Sequence, residues 1–66
     1  MKIVVNGKEL EFKNNITVKE LLENLNIEQK VMAVAINMEI VKKDDWENHK
    51  IKDNDKVELL HFVGGG

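Results

Sequence analysis

Three glycines, Gly64, Gly65 and Gly66, follow a strand-like run that covers residues 57–63. Glycine adds no packing surface and loses the most conformational freedom on ordering, so folding does not favour three glycines directly after a strand. A flexible segment of this kind can enter a narrow slot and present a bare α-carboxylate to another molecule. That carboxylate would be the reactive group of the chain. The alternative is a linker remnant, in which the glycines have no chemical role.

A second set of side chains is of the types that act in catalysis or bind metals, but the spacing of these residues in the sequence favours neither function. It consists of two histidines and the acidic residues of two polar stretches: His49, His61, Asp44, Asp45, Glu47, Asp53 and Asp55. Neither histidine has a second His or Cys at the spacing of a zinc site. The last two aspartates match only two positions of a calcium-binding loop, and short acidic loops are usually solvated. We expect no metal site and no catalytic residue.

The composition indicates one small domain with its own core. The chain has 66 residues, of which 42% are hydrophobic and 33% charged, with a net charge of −2 and no cysteine. This charge argues against binding to nucleic acid, which needs a concentrated basic face, and no apolar run approaches the roughly 18 residues of a membrane span. Because the first residues are typical of a strand, we expect no signal peptide and a cytoplasmic location. Residues 1–63 are predicted to form the domain, and residues 64–66 a flexible tail.

The first half of the chain predicts a hairpin followed by a helix. Residues 2–12 contain apolar residues in alternation on both sides of Asn6-Gly7, and this dipeptide is the strongest short signal for a type I′ turn. Thr17 and Glu20 form a capping box, because each side chain can bond to the main-chain N–H of the other residue. Apolar residues then recur at helical spacing, and Asn26 is suited to end the helix in a left-handed conformation.

The second half of the chain predicts further strands and completes an α+β domain. Within residues 31–37, alternation places the bulkier residues Met32, Val34 and Ile36 on one face, and we expect that face in the core. One helix would then pack against a mixed sheet of four to five strands. The remaining elements are a turn at residues 37–39, a strand at residues 40–41, a polar crossover anchored by Trp46 and Ile51, and a closing strand at residues 57–63.

The closing strand predicts an apolar patch beside the tail. If Val57 and Leu59 face the core, then Leu60 and Phe62 face outwards, and Val4 lies beside them if the first strand is the neighbour. An apolar patch of this kind is typical of a protein-binding site. We therefore predict that a partner docks at Leu60, Phe62 and Val4. The alternative is a register shifted by one residue, which would turn Leu60 and Phe62 into the core.

Three segments of the chain carry a recognisable pattern: TVKELL at residues 17–22, the run from VAINMEIV at residues 34–41 to Trp46, and the run from DNDKVE to HFVGGG at residues 53–66. Together they resemble the ubiquitin-like β-grasp sulfur carriers and, within that group, the ThiS family. The resemblance covers the whole chain. Two positions depart from the family pattern, since related sequences often have Gly or a polar residue at Met38 and Pro at Lys42. Because of these departures, the resemblance does not predict the turn geometry around Met38 and Lys42.

The resemblance implies a ubiquitin-like β-grasp fold and the role of a carrier, which is a protein co-substrate and not an enzyme. A ThiF-like adenylating enzyme would use ATP to activate the carboxylate of Gly66, and a persulfide sulfur donor would convert it into a thiocarboxylate. A ThiG-like thiazole synthase would then take the sulfur for thiamine biosynthesis. Gly65 and Gly64 would give the two enzymes steric access. No bound cofactor is implied.

Two related functions and one unrelated function remain open alternatives. A MoaD-like carrier would use the same thiocarboxylate to serve molybdopterin synthase. A ubiquitin-like modifier would be joined to target lysines by an isopeptide bond through Gly66. A plain interaction domain would use neither chemistry, and the loss of Gly65 and Gly66 would leave its binding unchanged.

Overall fold

The first two strands form the predicted hairpin around Asn6-Gly7 in the computed structural model, which describes residues 1–61. Strand β1 (Lys2–Val5) pairs antiparallel with β2 (Lys8–Glu11), and Val5 lies opposite Lys8. Asn6 has a φ of 49° and Gly7 a φ of 83°. Positive φ at both central residues defines the type I′ turn, so the sequence prediction is confirmed.

Helix α1 (Val18–Asn24) begins and ends with hydrogen bonds that the sequence predicts. The Glu20 N–H donates to the Thr17 hydroxyl at 3.1 Å, and the Thr17 N–H donates to the Glu20 carboxylate at 2.8 Å. At the other end Asn26 is left-handed, with a φ of 58°. The N–H of Ile27 then reaches back to the carbonyl of Leu22 at 3.0 Å. This is the bond of a Schellman cap.

Strands β3 (Val31–Ile36) and β4 (Glu39–Val41) form a second hairpin and correct one prediction. Val34 and Ile36 are buried as expected, but Met32 is 65% exposed and Val31 is buried instead. The pairing of β3 with the last strand shifts between Val31 and Ala33. A shift of this kind is a β-bulge, which adds one residue and reverses the alternation on one side of it.

The crossover after β4 contains one turn of 3-10 helix at Lys43–Asp45. Trp46 and Ile51 are both buried, as predicted. The indole N–H of Trp46 donates to the main-chain carbonyl of Val41 at 2.9 Å, and this bond is buried. The crossover is therefore fixed to β4 by the large aromatic side chain in its middle.

The last strand, β5 (Lys56–His61), lies in the centre of one five-stranded sheet. The sheet order is β2-β1-β5-β3-β4, with β5 parallel to β1 and antiparallel to β3. One helix and one mixed sheet confirm the predicted α+β class. The closing strand was expected at residues 57–63, and of these Phe62 and Val63 lie outside the described residues.

The core lies between α1, the crossover and one face of the sheet. Strands β1 and β5 each contribute alternate residues to it, as half-buried strands do. Val57 and Leu59 are among them, so the register predicted for the start of β5 is confirmed. The buried residues are Ile3, Val5, Val18, Leu21, Leu22, Val31, Val34, Ile36, Val41, Trp46, Ile51, Val57 and Leu59.

Candidate functional site

The predicted reactive group, the carboxylate of Gly66, lies outside the described residues together with Gly64, Gly65 and Phe62. The described chain leads up to these residues through β5. Strand β5 pairs with β1 at Lys56 and Val57, and with β3 from Val57 to His61. The structure therefore describes the strand that precedes the predicted site in the sequence, as far as His61.

Leu60 faces away from the core, as predicted, and is 61% exposed. Other apolar residues lie beside it on that face. Ala33 lies opposite Leu60 across the pairing of β3 with β5, and Ala35 lies opposite Ile40 across the pairing of β3 with β4. We call these four residues, Ala33, Ala35, Ile40 and Leu60, the outer patch. They line one groove of about 400 Å³ on the outer face of the sheet.

The structure does not bring Val4 to Leu60. Val4 is half-buried and lies opposite Lys56 in the parallel pairing of β1 with β5. Leu60 is four residues further along β5, which is about 13 Å at the usual rise of a strand. The apolar surface around Leu60 therefore extends towards β3 and β4, and Val4 lies in another part of the same face.

The part of the outer face around Val4 is charged. Ile3 and Val5 are buried, so their neighbours Lys2 and Val4 face outwards together with the residues paired to them, Glu11 and Glu9. The ammonium of Lys2 lies 3.7 Å from the carboxylate of Glu9, and both side chains are well exposed. An exposed ion pair of this kind adds little to stability. The outer face thus carries the outer patch on β3, β4 and β5, with Glu58 as a charged neighbour opposite Ala35, and mainly charged side chains on β1 and β2.

Sequence reasoning missed three members of the outer patch. Ala33 and Ala35 were assigned correctly to the face opposite the core, but small residues gave no reason to expect a binding surface there. Ile40 was recognised only as part of a short strand, and it is 70% exposed. These three residues are recognised as neighbours of Leu60 only from the sheet order, which places β3 between β4 and β5.

The side chains considered for metal binding are not gathered into one site. Within residues 1–61, no group of three or more His, Cys, Asp and Glu side chains could hold a metal ion. Asp53 and Asp55 instead accept hydrogen bonds from the main-chain N–H groups of Lys2 and Lys52, at 2.7 and 2.8 Å. These bonds fix the turn before β5. His61 is half-buried, and its Nδ1 has no hydrogen-bond partner among the described residues.

No helix in the described part of the chain is long and apolar enough to cross a membrane. Helix α1 has seven residues, whereas a membrane-spanning helix needs about 20.

One capped helix on a five-stranded mixed sheet, with a central last strand, defines the chain as a ubiquitin-like β-grasp protein. The same fold is found in the crystal structure of the thiamine biosynthesis protein ThiS from Geobacter metallireducens. The two chains match over 100% of their lengths with a TM-score of 0.82 and 34% sequence identity. The chain belongs to the ThiS family, whose model matches residues 2–66.

Similar curated proteins include sulfur carrier proteins and a thiazole synthase. The sulfur carrier protein ThiS of Escherichia coli K12 is 36% identical over 100% of both chains, and that of Bacillus subtilis is 36% identical over 94% of this chain and 96% of its own. A thiazole synthase of Paramagnetospirillum magneticum is 41% identical over 100% of this chain. The chain spans only 20% of the length of that thiazole synthase.

Proposed function

We propose that this chain is a sulfur carrier of thiamine biosynthesis, whose reactive group is the terminal carboxylate of Gly66. The observation that carries the proposal is membership of the ThiS family over residues 2–66, a range that includes the three glycines. Relatives of full and nearly full length are named sulfur carrier proteins. The fold agrees with this role, since β5, the last described strand, is held in the sheet by β1 at its start and by β3 as far as His61.

The proposed chemistry begins with activation of a poor electrophile. A carboxylate delocalises its charge over two oxygens, so sulfur cannot displace oxygen from it directly. A ThiF-like enzyme would join the Gly66 carboxylate to the α-phosphorus of ATP, releasing pyrophosphate and leaving an acyl adenylate. The terminal sulfur of a persulfide then attacks the carbonyl carbon and AMP leaves. A thiol cleaves the resulting S–S bond and is itself oxidised to a disulfide, which leaves the thiocarboxylate.

We propose that the chain supplies no catalytic group to these steps. It has no cysteine, so the sulfur it carries has no side-chain thiol on which to reside. Gly65 and Gly66 have no Cβ, which leaves the carbonyl carbon of Gly66 open to attack from either face. The chain would thus be a co-substrate that is consumed and regenerated, while its partners perform the catalysis.

The outer patch is the proposed docking surface for these partners. Its exposed members Leu60 and Ile40 flank two small residues, Ala33 and Ala35, and this arrangement leaves a groove into which a partner's apolar side chain can insert. Ordering the residues beyond His61 in a partner's active site costs entropy, and burial of the outer patch offsets that cost. Phe62 remains a predicted member of this surface.

A ThiG-like thiazole synthase is the partner that we propose for sulfur delivery. The support comes from the relative of P. magneticum, in which a segment similar to this whole chain occupies 20% of a protein named thiazole synthase. A second relative, from Magnetococcus marinus, has the same name and is 30% identical over 100% of this chain. A carrier-like segment within the polypeptide of a thiazole synthase is expected if the two act on the same sulfur atom.

A mass measurement tests the proposed function. The chain is incubated with ATP, a ThiF-like activating enzyme and a persulfide donor, and we expect it to gain the mass of one oxygen-to-sulfur exchange. The matched control is the chain without Gly66, which should gain nothing. Absence of the exchange with every cognate activating enzyme would contradict the proposal. Capture of a molybdopterin synthase subunit, or adducts on lysines that depend on Gly66, would support a MoaD-like carrier or a modifier instead.

A further inference from the structure

Strand β5 loses its main-chain partner on the β1 side before it reaches Leu60. The carbonyls of Asp55 and Val57 point towards β1, where they accept hydrogen bonds from the N–H groups of Val4 and Asn6 at 3.0 and 2.9 Å. Leu59 is the next residue of β5 to face that side. At its level β1 has already ended in the turn, so no strand is left to pair with the main chain of Leu59.

The side chain of Asn6 takes the place of the missing strand. Its Oδ1 accepts a hydrogen bond from the N–H of Leu59 at 2.7 Å, and its Nδ2 donates to the carbonyl of Leu59 at 3.2 Å. A carboxamide carries an acceptor oxygen and an N–H donor side by side, so it can bond the N–H and the carbonyl of one residue at the same time. Asn6 therefore extends β1 by one further pairing position, made by a side chain.

This attachment is the last one on the β1 side that the described residues provide. Beyond Leu59, residues Leu60 and His61 pair only with β3, and that pairing is interrupted by the bulge between Val31 and Ala33. The direction in which β5 leaves the sheet is therefore set by the bonds of Asn6 on one side and by an irregular ladder on the other.

We propose that Asn6 is a positioning residue for the carrier reaction. This proposal rests on the proposed function. By holding the main chain of Leu59, Asn6 fixes the path of β5 beyond its pairing with β1, and so the position from which the carboxylate of Gly66 is delivered. Docking and delivery of the carboxylate then occur in one geometry. Without Asn6 the domain docks, but the reactive end is misplaced in the enzyme's active site.

The chain contains a matched control for this proposal at the other end of β5. Asn37 also occupies the first central position of a turn, with a φ of 51° against 49° for Asn6. Its side chain also makes two hydrogen bonds, accepting from the N–H of Lys56 at 3.0 Å and donating to the carboxylate of Asp55 at 3.0 Å. Asn37→Ala therefore removes as many bonds as Asn6→Ala, but from the start of β5.

The experiment compares Asn6→Ala, Asn37→Ala and the unchanged chain as substrates of the activating enzyme, at a temperature where all three are folded. We expect similar losses of thermal stability in the two variants. Only Asn6→Ala should lower kcat for adenylation, on the order of tenfold or more, with little change in KM, since a small misplacement of a reacting group has effects of this size. An equal loss of kcat in Asn37→Ala, or unchanged kcat in Asn6→Ala, would overturn the proposal.

A second readout separates this proposal from the proposed function. Hydrogen exchange at the Leu59 amide should become faster in Asn6→Ala and stay unchanged in Asn37→Ala, whatever the chain's activity. Asn6→Asp should retain an acceptor for the Leu59 N–H but no donor for its carbonyl at neutral pH, so its kcat should lie between those of the unchanged chain and Asn6→Ala. If the unchanged chain is not adenylated at all, the proposed function fails and this proposal fails with it.

Discussion

Leu59 and Leu60 are consecutive residues of the same type on opposite faces of the sheet. Leu59 is 9% exposed and belongs to the core, whereas Leu60 is 61% exposed and belongs to the outer patch. Burial of the first stabilises the fold through the hydrophobic effect. The second gains no such stabilisation within the domain. Apolar residues on the inner face therefore stabilise the fold, whereas those of the outer patch remain accessible for the docking that we propose.

The outer face itself strengthens this interpretation. Its half on β1 and β2 carries charged residues, as a solvated surface does, whereas its half on β3, β4 and β5 carries the outer patch. Scattered exposed apolar residues need no explanation, but a contiguous group does.

The largest effect is expected from Leu59→Ala. Truncation of a buried leucine removes apolar contacts and leaves a cavity, so the free energy of unfolding should fall by about 2–3 kcal/mol. Urea denaturation followed by circular dichroism measures this change. A small domain has little stability to spare, and part of the variant should be unfolded at physiological temperature. A loss below about 1 kcal/mol would show that the inner face at Leu59 is not closely packed.

An intermediate effect is expected from Leu60→Asp. The free energy of unfolding should change by only about 0.5 kcal/mol, because the side chain is exposed. Affinity for the activating enzyme should fall by about tenfold or more, since a charge would be buried at the centre of the docking surface. Isothermal titration calorimetry measures the affinity. The control is Met38→Asp, the same change at a side chain that is 85% exposed and lies outside the groove. Equal losses in both variants would contradict docking at the outer patch.

The smallest effect is expected from Met38→Gly, and it has the opposite sign. Met38 has a φ of 72° at the second central position of the β3–β4 turn. In the first hairpin the same position is occupied by Gly7, with a φ of 83°. A side chain in the left-handed region is strained, whereas glycine is not. The glycine variant should be more stable by about 0.5–1 kcal/mol, with the gain reduced by the greater freedom of its unfolded chain. A lower melting temperature would show that Met38 has contacts that compensate for its strained backbone.

Local signals in the sequence predicted most of the fold. The turn at Asn6-Gly7, the capping box of Thr17 and the left-handed end of α1 at Asn26 all depend on residues close together in the chain. Such signals act over three or four residues and can be read without knowledge of the sheet. The core faces of β1 and β5 followed from simple alternation.

The errors and omissions concern pairings between distant segments. The position of Met32 depends on a bulge against β5, and a bulge has no sequence signature in β3 alone. The distance of Val4 from Leu60 depends on the register of two strands more than fifty residues apart in the chain. The role of Asn6 was hidden for the same reason, because its turn conformation is a local property but its bonds to Leu59 are not.

The central position of β5 also has a consequence for the synthesis of the chain. A nascent polypeptide that ends before residue 56 contains both hairpins, but it lacks the strand that joins them. Isolated two-stranded hairpins are marginally stable in water, so such a fragment remains open to proteases and chaperones. Folding can be completed only when the ribosome has added β5. A folded molecule has therefore been translated at least through β5, and products that terminate before residue 56 are removed as unfolded chains.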